Sequence, residues 1–207
     1  MVAGTNDWRQ NHAAYNRGEM DKWAMANTPY SIGYVHEADI PVQYKLAEAF
    51  TVGDMYYESI ISSTAPNRVS WFSGTINPPK GSKVNGTNKY MGGPTLDNRD
   101  SVGCERTDSG KPFSCVPLRW KTVPEYLQEA GISWRVYQDK DNFGDDPLVM
   151  WKQYQTSAKK KGDLAQRGTS FPGLQKFFDD ARDGKLPEVA YIVAPMQLSE
   201  HPPYMPM

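Results

Sequence analysis

Two short apolar runs constrain this chain more than anything else in it. "LPEVAYIVAP" at 186–195 is a nearly unbroken apolar stretch of strand length, and "ISWRVYQD" at 132–139 alternates apolar and polar residues with period two. Each follows a helix-forming segment closed by glycine. "TVPEYLQEAG" stops at Gly131, and "FPGLQKFFDDARDGK" stops at Gly184. A continuously apolar strand is what a buried parallel sheet requires, and helices between strands supply the crossovers. The sequence therefore predicts an α/β fold with helices on the faces of a parallel or mixed sheet.

Earlier segments extend the pattern. "NHAAYNRGEMDKWAM" at 11–25 is helix-forming but interrupted by Gly18, which predicts two short helices. In "ADIPVQYKLAEAF" at 38–50, Asp39 is placed to cap a helix and Pro41 to occupy its first turn. Val42, Leu46, Ala49 and Phe50 recur there at helical spacing. "TVGDMYY" at 51–57 reads as a short strand, and Asp145-Asp146-Pro147 as the cap of a helix running through Met150, Trp151 and Tyr154. Residues 77–117, rich in Gly, Pro, Asn, Ser and Lys, read as a long loop excursion.

Composition removes several classes of function. With 207 residues and a formal net charge of -1, the chain suits one domain and carries no basic stripe for nucleic acid. Its one basic run, Lys159-Lys160-Lys161, reads as a solvated loop. No apolar stretch approaches the ~18 residues of a transmembrane helix. Cys104 and Cys115 bracket two turn signals, an arrangement open either to a disulfide-closed hairpin or to two thiols. With the Asn85-Gly86-Thr87 sequon, they lean slightly towards a secreted or secretory-pathway protein, although no signal-peptide pattern stands at Met1.

In open α/β sheets, reactive groups gather beyond the carboxyl ends of strands, and two stretches fit that position. "ISSTAPNR" at 61–68 turns a loop into a helix, with Pro66 in its first turn. Free N–H groups at a helix start attract anions, so the Thr64 hydroxyl could attack phosphorus beside Asn67 and Arg68. The simpler alternative is that Ser62, Ser63 and Thr64 only cap the helix. "SEHPPY" at 199–204 holds His201 in a proline-stiffened loop, able to serve as general acid or phosphate contact, or as an ordinary loop residue. His12 stands in the same balance. Spacing alone gives no complete metal site.

These same stretches resemble a family. "YKLAEAFTVGDMYYESIISSTAPNRVSWFSGT" at 44–75 is similar to the "ALADAFTVCDAYF…S…GPTxPNRLYLWSGT" signature of the phosphoesterase family, which comprises phosphatidylcholine-type phospholipases C and acid phosphatases within the alkaline-phosphatase-like superfamily. "VAYIVAPMQLSEHPPYMP" resembles its "VSWIVAPxxxSEHPxYxP", "HAAYNRGEMDKW" its "H…W..GKMDxF", and "YLQEAGISWRVYQD" its "LEEAGISWKVYQ". The Cys-bracketed loop and the "AGTNDW" opening look most like fungal members.

The resemblance implies an α/β/α sandwich of the alkaline-phosphatase-like type and a hydrolase acting on phosphate esters. It makes Thr64 the nucleophile and a ligand of a divalent metal ion, and it places His201, His12, Asn67 and Arg68 around the phosphate. The implied substrate is a phospholipid or a small phosphate ester. Phospholipase C is the closer match, because threonine rather than serine stands at the nucleophile position.

Departures from the pattern are also specific. Glu58 and Ser62-Ser63 stand where relatives carry small residues and Gly-Pro, and Asn6 stands where a histidine is expected. The metal-binding motifs expected before and after this stretch are not in the sequence. The resemblance therefore implies a partial catalytic domain over 1–207, incomplete at both ends and with little activity alone. The alternatives are a non-catalytic truncated product or a module binding a lipid or carbohydrate surface, to which six Trp and twelve Tyr would lend contact area.

Overall fold

A computed structural model describes residues 4–76, 98, 118–142, 144–198 and 201. Cys104, Cys115, the Asn85 sequon and nearly all of the 77–117 excursion lie outside the described residues. In chain order the elements are α1 (Trp8–Tyr15), α2 (Trp23–Ala26), α3 (Pro41–Ala49), α4 (Thr64–Ser73), α5 (Val123–Glu129), β1 (Trp134–Tyr137), α6 (Lys152–Lys159), α7 (Asp163–Gly168), α8 (Leu174–Arg182) and β2 (Val189–Ile192). This is a mixed helix and strand architecture consistent with an α/β fold.

The two strands pair in parallel, with Trp134 opposite Val189 and Tyr137 opposite Ile192. A reciprocal clamp sets that register. Glu188 Oε2 accepts from the Ser133 N–H at 2.8 Å and the Ser133 hydroxyl at 3.0 Å, while the Glu188 N–H donates back to Ser133 Oγ at 2.9 Å. Those bonds, the backbone one first, hold the Glu188 carboxyl below its ordinary value of 4.5. A depressed folded-state pKa gives stability that is present above the unfolded value and lost as pH falls through the folded one. Glu188→Gln should therefore melt with less pH dependence than the parent from about pH 5 downward, as thermal melts across that range would show. Parallel melting curves for the two proteins would remove the clamp from the account.

β2 is less buried than its apolar sequence predicts. Ala190 and Ile192 are exposed, the latter by 53%. Among the described residues only β1 pairs with it, which leaves its other edge open, and the side that carries Ala190 and Ile192 is uncovered. Parallel pairing holds; burial on both faces does not.

The core forms where α4, β1, α6 and the turn Pro147–Met150 meet, around Val69, Phe72, Leu118, Trp134, Val136, Leu148, Trp151 and Tyr154. Trp151 interrupts the helix expected through Met150 and Tyr154. Its backbone is extended at φ -89°, ψ 134°, and Leu118 takes up the flanking backbone groups, bonding Met150 O at 3.0 Å and the Lys152 N–H at 2.8 Å. That pairing compensates the break and lets the indole enter the core, where it meets Trp120 edge-on at 5.4 Å. Gly168 packs so closely that an added Cβ would lie 2.9 Å from the Tyr154 ring and 3.0 Å from Leu148.

Helix ends follow the sequence where the signal is local. Glu125 turns back onto the Thr122 N–H at 2.8 Å, and Gly131 and Gly184 adopt φ +74° and +66° after α5 and α8. Two expectations fail. Asp39 does not cap α3; Ile40 holds that position, and Asp39 accepts from the His36 N–H at 3.0 Å instead. Residues 51–57 form no strand but an exposed run with a turn at Asp54-Met55, because no described strand lies beside them to pair. The apolar stripe of α3 likewise faces outward, with Val42 64% and Phe50 72% exposed.

Candidate active site

α4 begins where the chain leaves the loop at Ser63, and its packing fixes where Thr64 sits. Val69 and Phe72 anchor the inner face of the helix in the core, and Pro66 is buried in its first turn. Ser63 holds the N-cap position without a side-chain bond to the helix, and Thr64 is the first helical residue. The Thr64 side chain is half-buried and borders a cleft of about 650 Å³, together with Asn6, Tyr57, Glu58, Arg68 and Trp71.

The loop before Thr64 is held by one amide. Asn67 Oδ1 accepts from the Ile60 N–H at 2.9 Å, and its Nδ2 donates to Ile60 O at 3.0 Å and Ser63 O at 3.1 Å. Both amide hydrogens are engaged, so Asn67 shapes the loop carrying the hydroxyl and has no N–H left over for a phosphate. The sequence motif alone does not separate those two uses.

Arg68 is committed in a similar way. It donates to Asp145 O at 2.9 Å and pairs with Asp145 Oδ2 at 3.0 Å while still bordering the cleft. Burial pushes the Asp145 carboxyl above its ordinary value, and Arg68 pulls it back. Asp141 raises it further, while His201, exposed, lies near enough to lower it. The sequence reading of Asp145-Asp146 as a cap holds for Asp146, whose Oδ1 accepts from the Leu148 N–H at 3.1 Å. Asp145 pairs with Arg68 of α4 instead.

Two further asparagines reach this helix start. Asn98 Oδ1 accepts from the Ala65 N–H at 2.6 Å, and the Asn98 N–H donates to Ser63 Oγ at 2.7 Å. One of the N–H groups expected to be open to an anion is therefore already bonded. Asn6 Nδ2 donates to Thr64 Oγ1 at 3.4 Å. Sequence reasoning gave Asn98 no role, since nothing local marks a contact from so far along the chain. It met Asn6 only as a departure from a pattern.

His12 is not brought to this cleft. It stacks on Trp8 with ring centroids 3.9 Å apart, donates from Nδ1 to Trp8 O at 2.8 Å, and borders a separate cleft of about 490 Å³ with Arg17 and Lys22. The structure thus gathers Thr64, Asn67 and Arg68 at one cleft and leaves His12 at another. Among the described residues no group of three His, Cys, Asp or Glu side chains converges to hold a metal ion. The oxygens at the cleft from Thr64 and Glu58 do not amount to a metal site.

Comparison with known proteins places this arrangement in context. A model of the phosphoesterase family matches residues 3–207. The non-hemolytic phospholipase C of Pseudomonas aeruginosa is 41% identical over 204 residues, covering 97% of this chain and 27% of that protein. The hemolytic phospholipase C of the same organism is 30% identical over 220 residues, with 95% and 28% covered. Phospholipase C A of Mycobacterium tuberculosis is 34% identical over 212 residues, with 95% and 36% covered. The chain thus spans between 27% and 36% of the length of these relatives.

Proposed function

Because the chain belongs to the phosphoesterase family, we propose that it supplies the nucleophile of a phosphate-ester hydrolase, with Thr64 as the attacking residue. The observation that carries this reading is the position of Thr64. The cap position belongs to Ser63, while the Thr64 hydroxyl opens onto the cleft. In the first step Oγ1 gives up its proton and bonds to phosphorus while the ester oxygen takes a proton from the general acid and leaves as the alcohol, so that phospho-Thr64 forms. The released hydroxyl proton restores the acid by way of solvent. In the second, water attacks phosphorus, the Oγ1–P bond breaks, and Oγ1 takes up a proton released by that water. His201 is the general acid of this reading, as the resemblance of "SEHPPY" to the family motif implies. Arg68 supplies positive charge to the cleft even while paired.

A divalent metal ion belongs to the proposal, with ligands beyond those described. So does the sandwich: β1 and β2 are two adjacent strands of a larger parallel sheet, and the open face of β2 is where covering elements pack. The substrate is a phospholipid diester, as the names of the relatives suggest, or a phosphomonoester. The outward row of Phe50, Val52, Met55 and Tyr56 favours a lipid surface.

The test is hydrolysis of p-nitrophenyl phosphate and p-nitrophenylphosphorylcholine with added divalent metals. It is run on the chain alone and on the chain extended with the flanking segments of the non-hemolytic P. aeruginosa relative. Metal-dependent turnover by the extended form with preference for the diester, and little by the chain alone, is the expected result. Retention on phosphatidylcholine vesicles with no turnover in either form would instead make this a lipid-binding module.

A further inference from the structure

We propose that Asn6 is a second side chain acting on the reacting oxygen, an inference that rests on Thr64 being the nucleophile. Its Nδ2 reaches Thr64 Oγ1 at 3.4 Å, the long end of an N–H···O bond. What gives that contact weight is how firmly an exposed residue is aimed. On one side Asn27 grips the Thr5 peptide from both directions, accepting its N–H at 2.8 Å and donating to its carbonyl at 2.6 Å. Gly4 leaves room for this grip, since a Cβ there would collide with Asn27 Oδ1. On the other side Asp7 caps α1 by accepting from the Gln10 N–H at 2.9 Å. Farther along the helix, Asn11 Nδ2 donates to Ser62 O at 3.3 Å, fastening α1 to the loop that carries Thr64.

The chemistry follows from the donor type. A carboxamide donates at every pH. Directed at Oγ1, it stabilises the negative charge that builds as the hydroxyl proton leaves. Once Oγ1 is bonded to phosphorus, the same hydrogens lie beside the transferred group. Asn27 is a positioning residue, acting on Asn6 through Thr5.

Orthovanadate, which takes up the five-coordinate shape of phosphoryl transfer, is titrated into the chain extended as above, with a divalent metal present, and read by tryptophan fluorescence, Trp71 standing at the cleft. Asn6→Ala should weaken binding about tenfold with Thr64 in place and change nothing in a Thr64→Ala background. Asn6→His should restore affinity with a pH dependence centred near ~6.5, which a merely structural residue would not confer. Equal losses in both backgrounds, or no loss in either, would overturn the role of Asn6. Vanadate affinity indifferent to Thr64→Ala would overturn the nucleophile reading itself, and the role of Asn6 with it.

Discussion

Thr64→Ala should lower turnover by about a thousandfold or more while leaving the melting temperature nearly unchanged. The two halves of that result depend on different facts. Turnover falls because the only bond that carries the phosphoryl group through the proposed reaction is made by Oγ1. Stability holds because Ser63, not Thr64, is the N-cap residue, and alanine is a good helix former at the first helical position. Thr64→Ser keeps a hydroxyl at the same point and should stay within about tenfold of the parent. A threonine that only capped the helix would behave in the opposite way, losing about 1 kcal/mol of stability and no activity. Kinetics and melts on the active form of the protein separate the two.

The largest effect on stability is expected at Trp151. Its side chain is fully buried in the core, in edge contact with Trp120 and alongside Leu148 and Tyr154. Trp151→Ala should cost about 3–5 kcal/mol, a large part of the 5–15 kcal/mol or so that holds a typical domain together. Trp151→Phe should cost much less. The indole Nε1 has no hydrogen-bond partner among the described residues, so phenylalanine gives up volume and also removes a buried donor left unbonded. Denaturant unfolding of the two variants would show the difference. A Trp151→Ala protein within about 1 kcal/mol of the parent would mean that this cluster is not the core.

How much of this could be read from the sequence depended on how far each cause lay from its effect. α5 and α8 were legible because their signals are local: Thr122 and Glu125 meet within one turn, and Gly131 and Gly184 stop the chain where they stand. The parallel pairing of β1 and β2 was legible from intervening helices and strand composition. The 51–57 segment was not. "TVGDMYY" has strand-like residues, but strand formation needs a neighbour, and the sequence of one strand does not show whether another lies beside it. The break at Trp151 was hidden for a similar reason, since its backbone partner is Leu118.

The site divides along the same line. Thr64 on a helix start beside Arg68 was visible in "STAPNR", whereas the use of each side chain was not. Asn67 and Arg68 read equally well as phosphate contacts, but their hydrogen bonds run to Ile60, Ser63 and Asp145. The contacts from Asn6 and Asn98 cross 58 and 33 positions of sequence, and no spacing rule reaches so far. His12 reads from its motif as a phosphate contact, yet it borders a different cleft.

The phosphoryl-enzyme step is the centre of the account, and trapping it is the most direct test. A reacting sample of the active form, quenched in acid and digested, should yield the peptide containing Thr64 with one phosphoryl group, and Thr64→Ala should yield none. Full turnover with no phosphorylated residue, or with the group on another side chain, would contradict it.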